Sequence, residues 1–229
     1  MMTTTHSSVA NPHHRVFIAD DHPIVRQGLR RLIEQEAGFS VCGEADSVRD
    51  AKTAIRELHP DVVVIDISLK QGDGIELVKD TRAHYPSMPL LVLSMHDETL
   101  YAERMLGAGA NGYIMKQAAS DQFLLALRRV LEGGIYVSEA VGNAMIQKFA
   151  AGGSRVAASP IESLSNRELQ VLQLIGKGLS TRQLADTLNL SVKTVESHRQ
   201  RIKRKLGLGT GAQLVQYAVN WVSGRESPP

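Results

Sequence analysis

The sequence predicts an α/β domain built on a parallel five-stranded sheet, followed by a small all-α domain. Three observations carry this expectation. Short apolar runs alternate with amphipathic helical stretches between residues 15 and 131, and such alternation implies a parallel sheet with right-handed crossovers. One run, Val62-Val63-Val64-Ile65, is apolar throughout, as a strand must be when helices cover both sheet faces. After Pro160 the strand signals stop and only short, capped helical segments remain.

The elements follow in order. Val16-Phe17-Ile18-Ala19 is the first strand and ends at paired aspartates. Ile24, Val25, Leu29, Leu32 and Ile33 then recur at helical spacing from Pro23 to Glu36. The stretch from Phe39 to Glu44 is strand-like and holds the lone Cys42, read as a small buried hydrophobe. One cysteine excludes an internal disulfide and a thiolate metal site. Leu90–Leu93 and Tyr113–Met115 complete the strands, with helices over Ala51–Leu58, Ile75–Ala83, Leu100–Leu106 and Phe123–Leu131. Gly133-Gly134 closes the last helix, and a further amphipathic piece runs from Ser138 to Phe149. Ala150-Ala151-Gly152-Gly153-Ser154, leading to Ser159-Pro160, has the composition of a flexible linker.

Beyond it, Ser165-x-x-Glu168 and Thr210-x-x-Gln213 are capping boxes, and Ser180 and Ser191 are caps of their own. They open helices ending near Ile175, Leu188, Leu206 and Trp221. The expected organisation is a disordered segment at 1–14, the α/β domain at 15–131, a helix and linker at 132–160, the helical domain at 161–222 and a disordered tail at 223–229. A flexible linker favours control by exchanged contacts between the domains over a rigid lever.

Composition bounds the function. With 43% hydrophobic and 22% charged residues, the chain has the make-up of a soluble globular protein. No apolar run approaches the ~18 residues that span a bilayer. The polar stretch before Arg15 lacks the apolar core of a signal peptide. A cytoplasmic protein without a membrane partner is expected. Of 26 basic and 24 acidic residues, ten and five lie from Pro160 onward, leaving sixteen and nineteen before it. The halves therefore carry +5 and −3, which points to a nucleic-acid partner for the small domain only.

The polar residues of the first domain sit where strands end: Asp20 and Asp21 after the first, Asp66 after the third, Ser94 after the fourth, Lys116 after the fifth. In an open α/β sheet these ends form one ligand cleft. Taken singly, each has an ordinary reading: an aspartate as turn residue or helix cap, a lysine as solvated surface charge. Taken together, in this order, they describe chemistry. Three carboxylates share a cleft only if a hard cation neutralises them, and magnesium suits such a site. A carboxylate can then act as nucleophile and become an aspartyl phosphate, while Lys116 and Ser94 supply charge and a hydroxyl donor to the phosphoryl oxygens.

Residues 15–131 resemble the receiver domain of two-component response regulators, with Asp20-Asp21, Asp66, Ser94, Tyr113 and Lys116 at its motif positions. The resemblance implies the flavodoxin-like sheet order 2-1-3-4-5. It implies that Asp66 takes phosphate from a sensor histidine kinase. Asp21, Asp66 and the main-chain carbonyl of Ser68 would bind Mg2+, with Asp20 joining through water. Ser94 would turn toward the phosphoryl group and Tyr113 follow into the space it leaves. Receivers commonly carry a proline where this chain has Lys70, a departure that bears on the loop's conformation and the phosphate's lifetime.

The run Leu-Ser-Asn-Arg-Glu-Leu-Gln-Val-Leu from Leu164, with Ser-Val-Lys-Thr-Val-Glu-Ser-His from Ser191 and Lys-Leu-Gly from Lys205, resembles the LuxR-type helix-turn-helix. With the receiver it resembles the NarL/FixJ subfamily. In the third helix of this domain, Val192, Val195, Ile202 and Leu206 form a packing face. The opposite face carries Lys193, Thr194, Glu196, Ser197, Gln200, Arg201, Lys203 and Arg204. Such a helix fits the DNA major groove. Lys193, Glu196, Ser197 and Gln200 are the expected base contacts; Arg201, Lys203 and Arg204 are expected at phosphates. His198 has no second ligand at metal spacing. Tyr217 and Trp221 read as core. The resemblance gives the last helix a role in dimerising the phosphorylated or DNA-bound protein, with Val215, Val219 and Val222 on that face.

Three other readings compete, of which a receiver that never becomes phosphorylated is opposed by the complete residue set. A phosphohydrolase would use Asp66 similarly but would leave the helix-turn-helix without a purpose and would need a substrate-binding insertion. A sensor of small acylated signals would need an apolar pocket instead of an acidic cluster. The expected protein is a regulator whose own phosphorylation and dephosphorylation are its only catalysis.

Overall fold

The computed structural model describes residues 13–69, 72–150, 160–188 and 190–223. Residues 1–12, Lys70, most of the expected linker (151–159) and most of the expected tail (224–229) lie outside the described residues. The chain divides into two compact units, Met1–Ala151 and Gly152–Pro229.

The first unit is β1 (His14–Ala19), α1 (Pro23–Glu34), β2 (Phe39–Ala45), α2 (Val48–Leu58), β3 (Val62–Asp66), α3 (Gly74–His84), β4 (Leu90–Ser94), α4 (Glu98–Gly107), β5 (Gly112–Met115), α5 (Ser120–Leu131) and α6 (Glu139–Ala150). All strand pairings are parallel and the order is β2-β1-β3-β4-β5, as expected. Alternate residues of a strand face opposite sides. Val62, Val64, Leu91 and Leu93 join one core with Leu29 and Ile33 of α1 and Phe123, Leu127 and Val130 of α5. Val63, Ile65, Leu90 and Val92 are equally buried and face the side covered by α2, α3 and α4.

Several elements depart from expectation by a few residues, each for a local reason. β1 begins at His14, whose N–H donates to Gly38 O at 2.7 Å. α2 begins at Val48 because Ser47 caps it, accepting from Asp50 N. Cys42 is half-buried rather than buried. The β1–β2 register jumps from Val41 to Gly43, so Cys42 is bulged out of the pairing and its thiol lies 3.4 Å from Val16 O. α6 packs against α4: Ser138 Oγ donates to Glu98 at 2.6 Å, and Lys148 pairs with Glu103 at 2.7 Å. Just before α6, Tyr136 bridges to Gly112 at the edge of β5.

The second unit holds a short 3-10 helix (Pro160–Ser163), α7 (Asn166–Gly176), α8 (Thr181–Thr187), α9 (Val192–Lys205) and α10 (Gly211–Val222). Both predicted capping boxes form, and Ser180 with Gln183 makes a third. Leu169, Leu172, Ile175, Leu184, Val195, Ile202, Leu214 and Ala218 are its buried core. Tyr217 and Trp221 are half-buried, not central, because α10 turns Leu214 and Ala218 inward. Gly176 permits that approach: a Cβ there would stand 2.4 Å from Ala218 O.

Candidate functional site

The carboxyl ends of β1, β3, β4 and β5 bring the sequence-predicted residues into one cleft. Asp20 and Asp66 are almost fully buried, and Ser94 is completely so. Lys116 Nζ lies 2.6 Å from Asp20 Oδ2 and 2.8 Å from Asp66 Oδ2, donating a hydrogen bond to the latter. Its own backbone N–H is anchored on Ser94 O at 2.8 Å. Asp21 lies at the rim with a partly exposed side chain.

Charge explains the electrostatics. Burial pushes the Asp66 carboxyl above its usual range, and neighbouring Asp20 adds to the rise; Lys116 and the Ser68 N–H oppose it without cancelling it. Burial works against the Lys116 ammonium, but Asp66 and Asp20 together hold its pKa above the ordinary lysine value. Asp20 Oδ2 is ion-paired with Lys116 Nζ and Asp21 Oδ1 with His22 Nδ1, each at 2.6 Å. Among the described residues the cleft sets three carboxylates against the Lys116 ammonium, and such hard oxygen donors fit a divalent cation such as Mg2+.

Ser94 and Tyr113 meet. The Tyr113 hydroxyl donates to His96 O at 2.8 Å and is close to the Ser94 side chain, and burial raises its pKa. Tyr113 is only 1% exposed, so its ring already occupies the interior beside Ser94.

Sequence reasoning missed three residues here. His96 links the loops: its Nε2 is 3.0 Å from Ser68 Oγ and its ring stacks on Tyr101 at 4.9 Å. Its place two residues beyond Ser94 was the only signal. Gly74 is forced by space, since a Cβ would lie 2.3 Å from Asp66 O and 2.7 Å from Ile67 Cα. His22 turns its ring nitrogen to the carboxylates, 2.6 Å from Asp21 Oδ1 and 3.2 Å from Asp20 Oδ1. A histidine directly after two aspartates was a signal for it.

In the second unit Ser191 caps α9. Lys193, Glu196, Ser197, Gln200, Arg201 and Arg204 are exposed; Thr194 and Lys203 are half-exposed. Thr194 is drawn into the cap, its Oγ1 2.8 Å from Ser191 Oγ. Val195 and Ile202 are buried as expected, but Val192 is 45% exposed and Leu206 only half-buried. Val192 opens the helix, where no earlier turn covers it. His198 is half-buried, its Nδ1 enclosed without a hydrogen bond. Burial lowers its pKa, and Arg201 and Arg167 lower it further. Val215, Val219 and Val222 form an exposed apolar row on α10.

Comparison with known proteins agrees with this geometry. Residues 16–128 match the response regulator receiver domain, and residues 162–218 match the luxR family of bacterial regulatory proteins. The oxygen regulatory protein NreC of Staphylococcus aureus is 35% identical over 209 residues, spanning 90% of this chain and 96% of NreC. RcsB of Salmonella enterica serovar Typhimurium, bound to promoter rprA with phosphomimetic BeF3−, superposes with a TM-score of 0.57 at 31% identity, covering 90% of this chain and 98% of RcsB. A structure of two RcsB dimers on two parallel DNAs gives 0.55 at 30% identity, with the same coverage of 90% and 98%. The chain belongs to the two-component response regulators of NarL/FixJ type, a receiver domain joined to a LuxR-family helix-turn-helix.

Proposed function

We propose that Asp66 accepts a phosphoryl group from a sensor histidine kinase and that the phosphorylated chain regulates transcription by binding promoter DNA. The observation that carries this reading is Lys116 held 2.6 and 2.8 Å from Asp20 and Asp66 at the ends of three strands. An Asp66 oxygen attacks phosphorus, the P–N bond to the kinase histidine breaks with its electron pair going to nitrogen, and the imidazole leaves neutral by taking a proton from water. Lys116 then follows the negative charge onto the phosphoryl oxygens, and Ser94 donates its hydroxyl. Bound Mg2+ would be held by Asp21, Asp66 and the main-chain carbonyl of Ser68, with Asp20 through water, and would neutralise the approaching phosphoryl group. The same groups, acting on water, hydrolyse the aspartyl phosphate, so the chain's catalysis is confined to its own modification. Ser94 and Tyr113 are the switch pair.

The second unit reads DNA through α9, with Lys193, Glu196, Ser197 and Gln200 at base edges and Arg201, Lys203 and Arg204 at phosphates. Thr194, tied to its cap, adds a backbone contact. The Val215–Val219–Val222 row would pair two copies on DNA. No described helix is long and apolar enough to cross a membrane, and a cytoplasmic location fits DNA as the target.

Incubation with acetyl phosphate and Mg2+, followed by intact-mass measurement, tests the first half. One phosphoryl group is expected on the wild type, and none on Asp66→Ala or in excess chelator. Full labelling of Asp66→Ala would sink the assignment. For the second half, Arg201→Ala should weaken binding to all sequences and flatten the salt dependence by about one unit of slope. Gln200→Ala should relax preference at individual base pairs worth ~1–3 kcal/mol each. A change of base preference with an intact salt slope for Arg201→Ala would reverse the roles.

A further inference from the structure

The segment from Gly134 to Ala150 lies against β5 and α4 and is fastened to both. At β5, the Tyr113 N–H donates to Tyr136 O at 2.8 Å, and the Tyr136 N–H donates to Asn111 O at 3.0 Å. At α4, Ser138 Oγ donates to Glu98, in the first turn of that helix, at 2.6 Å, and Lys148 pairs with Glu103 at 2.7 Å. Ser138 also starts α6, its hydroxyl accepting from the Val141 N–H and its carbonyl from the Gly142 N–H. The fastening is light: Val141 is the one buried residue of α6, and Phe149 near its end is 84% exposed. Elements with few buried contacts open locally at small cost. A pivot stands just before the segment, where Gly133 takes a left-handed φ of 79° that suits glycine.

Tyr113 joins this segment to the phosphorylation cleft. Its backbone holds Tyr136, while its hydroxyl donates to His96 O, in the loop between Ser94 and α4. With the ring inward, that bond anchors the loop and sets the first turn of α4, where Glu98 meets Ser138. With the ring turned out, the anchor is lost and Glu98 no longer has a fixed place. We propose that residues 134–150 form a strap that closes on α4 and β5 when Tyr113 is inward, so that phosphorylation of Asp66 and docking of α6 reinforce each other. The inference rests on the phosphorylation reading, with Ser94 and Tyr113 as its switch pair. Its sign follows from the structure, in which an inward ring and a docked helix occur together. Such coupling is reciprocal: whatever the phosphoryl group adds to docking, docking adds to the site's affinity for a phosphoryl mimic.

Beryllofluoride with Mg2+ is the probe, because it binds reversibly and so reports an equilibrium. On the full-length protein, adding it should slow hydrogen exchange at amides 136–150 about fivefold. Val141→Asp puts a charge where the strap is buried. It should make those amides exchange fast in both states and weaken beryllofluoride binding, measured by calorimetry, about fivefold. Lys148→Glu, a surface change that leaves the core untouched, should weaken binding about twofold, and adding Glu103→Lys should restore it. Unchanged or faster exchange at 136–150 in a protein that binds the probe overturns the strap and leaves phosphorylation standing. Wild-type affinity in both Val141→Asp and Lys148→Glu does the same. A wild type that binds no beryllofluoride overturns the phosphorylation reading, and the coupling falls with it.

Discussion

Two buried carboxylate–lysine contacts, one in each unit, show how the same chemistry is tuned to opposite ends. In the first unit Lys116 Nζ lies 2.8 Å from Asp66; in the second Lys205 Nζ lies 2.6 Å from Glu168. Both carboxylates are nearly inaccessible. Burial raises both, but Asp66 also faces Asp20, and its pKa stays above the usual range. For Glu168 burial is outweighed by hydrogen bonds from Lys205 and the Ser165 N–H, and its pKa falls below. One carboxylate is left with a raised affinity for a proton. The other closes a capping box and ties α7 to α9.

The difference predicts opposite responses to deletion. Glu168→Ala removes the cap partner and one of the two Lys205 acceptors, Ser163 O remaining at 3.0 Å, so the second unit should lose about 1–2 kcal/mol. Asp66→Asn removes one of two facing carboxylates and leaves Lys116 paired with Asp20, so the first unit should keep or gain stability while losing its phosphorylation. Calorimetry resolves the transitions if the units unfold separately, and fluorescence of the single tryptophan, Trp221, reports the second. A first unit destabilised by Asp66→Asn would mean that Lys116 satisfies Asp66 fully, and the contrast would collapse.

A second test uses two glycines that meet backbone. A Cβ at Gly74 would stand 2.3 Å from Asp66 O, and one at Gly176 would stand 2.4 Å from Ala218 O. Alanine at either position should cost about 1–3 kcal/mol through overpacking. Only Gly74→Ala should also slow labelling by acetyl phosphate, because it displaces the backbone that carries Asp66. Equal labelling by both variants would show that the cleft tolerates movement of β3.

The strand-end residues were legible in the sequence because each follows an apolar run, and the strand order brings such ends together whatever their separation. Capping boxes were legible because both partners lie within one turn. What stayed hidden depends on distant partners. His96 and Gly74 owe their roles to Ser68, Tyr101 and the Asp66 backbone, which no local pattern announces. Cys42 escaped burial through a bulge, invisible in an otherwise regular strand. The start of α2 was missed because Arg49 and Asp50 interrupt the apolar spacing while Ser47 supplies the cap.

The smallest expected effect is on pH, and it separates the units by sign. His198 has a folded pKa below its ordinary 6.5, from burial first and then Arg201 and Arg167. The neutral ring is therefore favoured in the folded state. Its contribution to stability is present above pH 6.5 and is lost as pH falls through the folded value. Glu168, with its pKa lowered from 4.5, adds a loss in the same direction at still lower pH. Asp66 behaves oppositely: its pKa is raised above 3.8, so the folded first unit binds the proton more readily, and acid relieves rather than weakens it. Between pH 7.5 and 5.5, thermal unfolding followed at Trp221 should shift to lower temperature, and His198→Gln should flatten that shift. The first unit's transition should not fall on account of its acidic cleft. If His198→Gln leaves the Trp221 shift intact, the enclosed Nδ1 does not set the acid sensitivity of the DNA-binding unit, and Glu168 becomes the group to replace next.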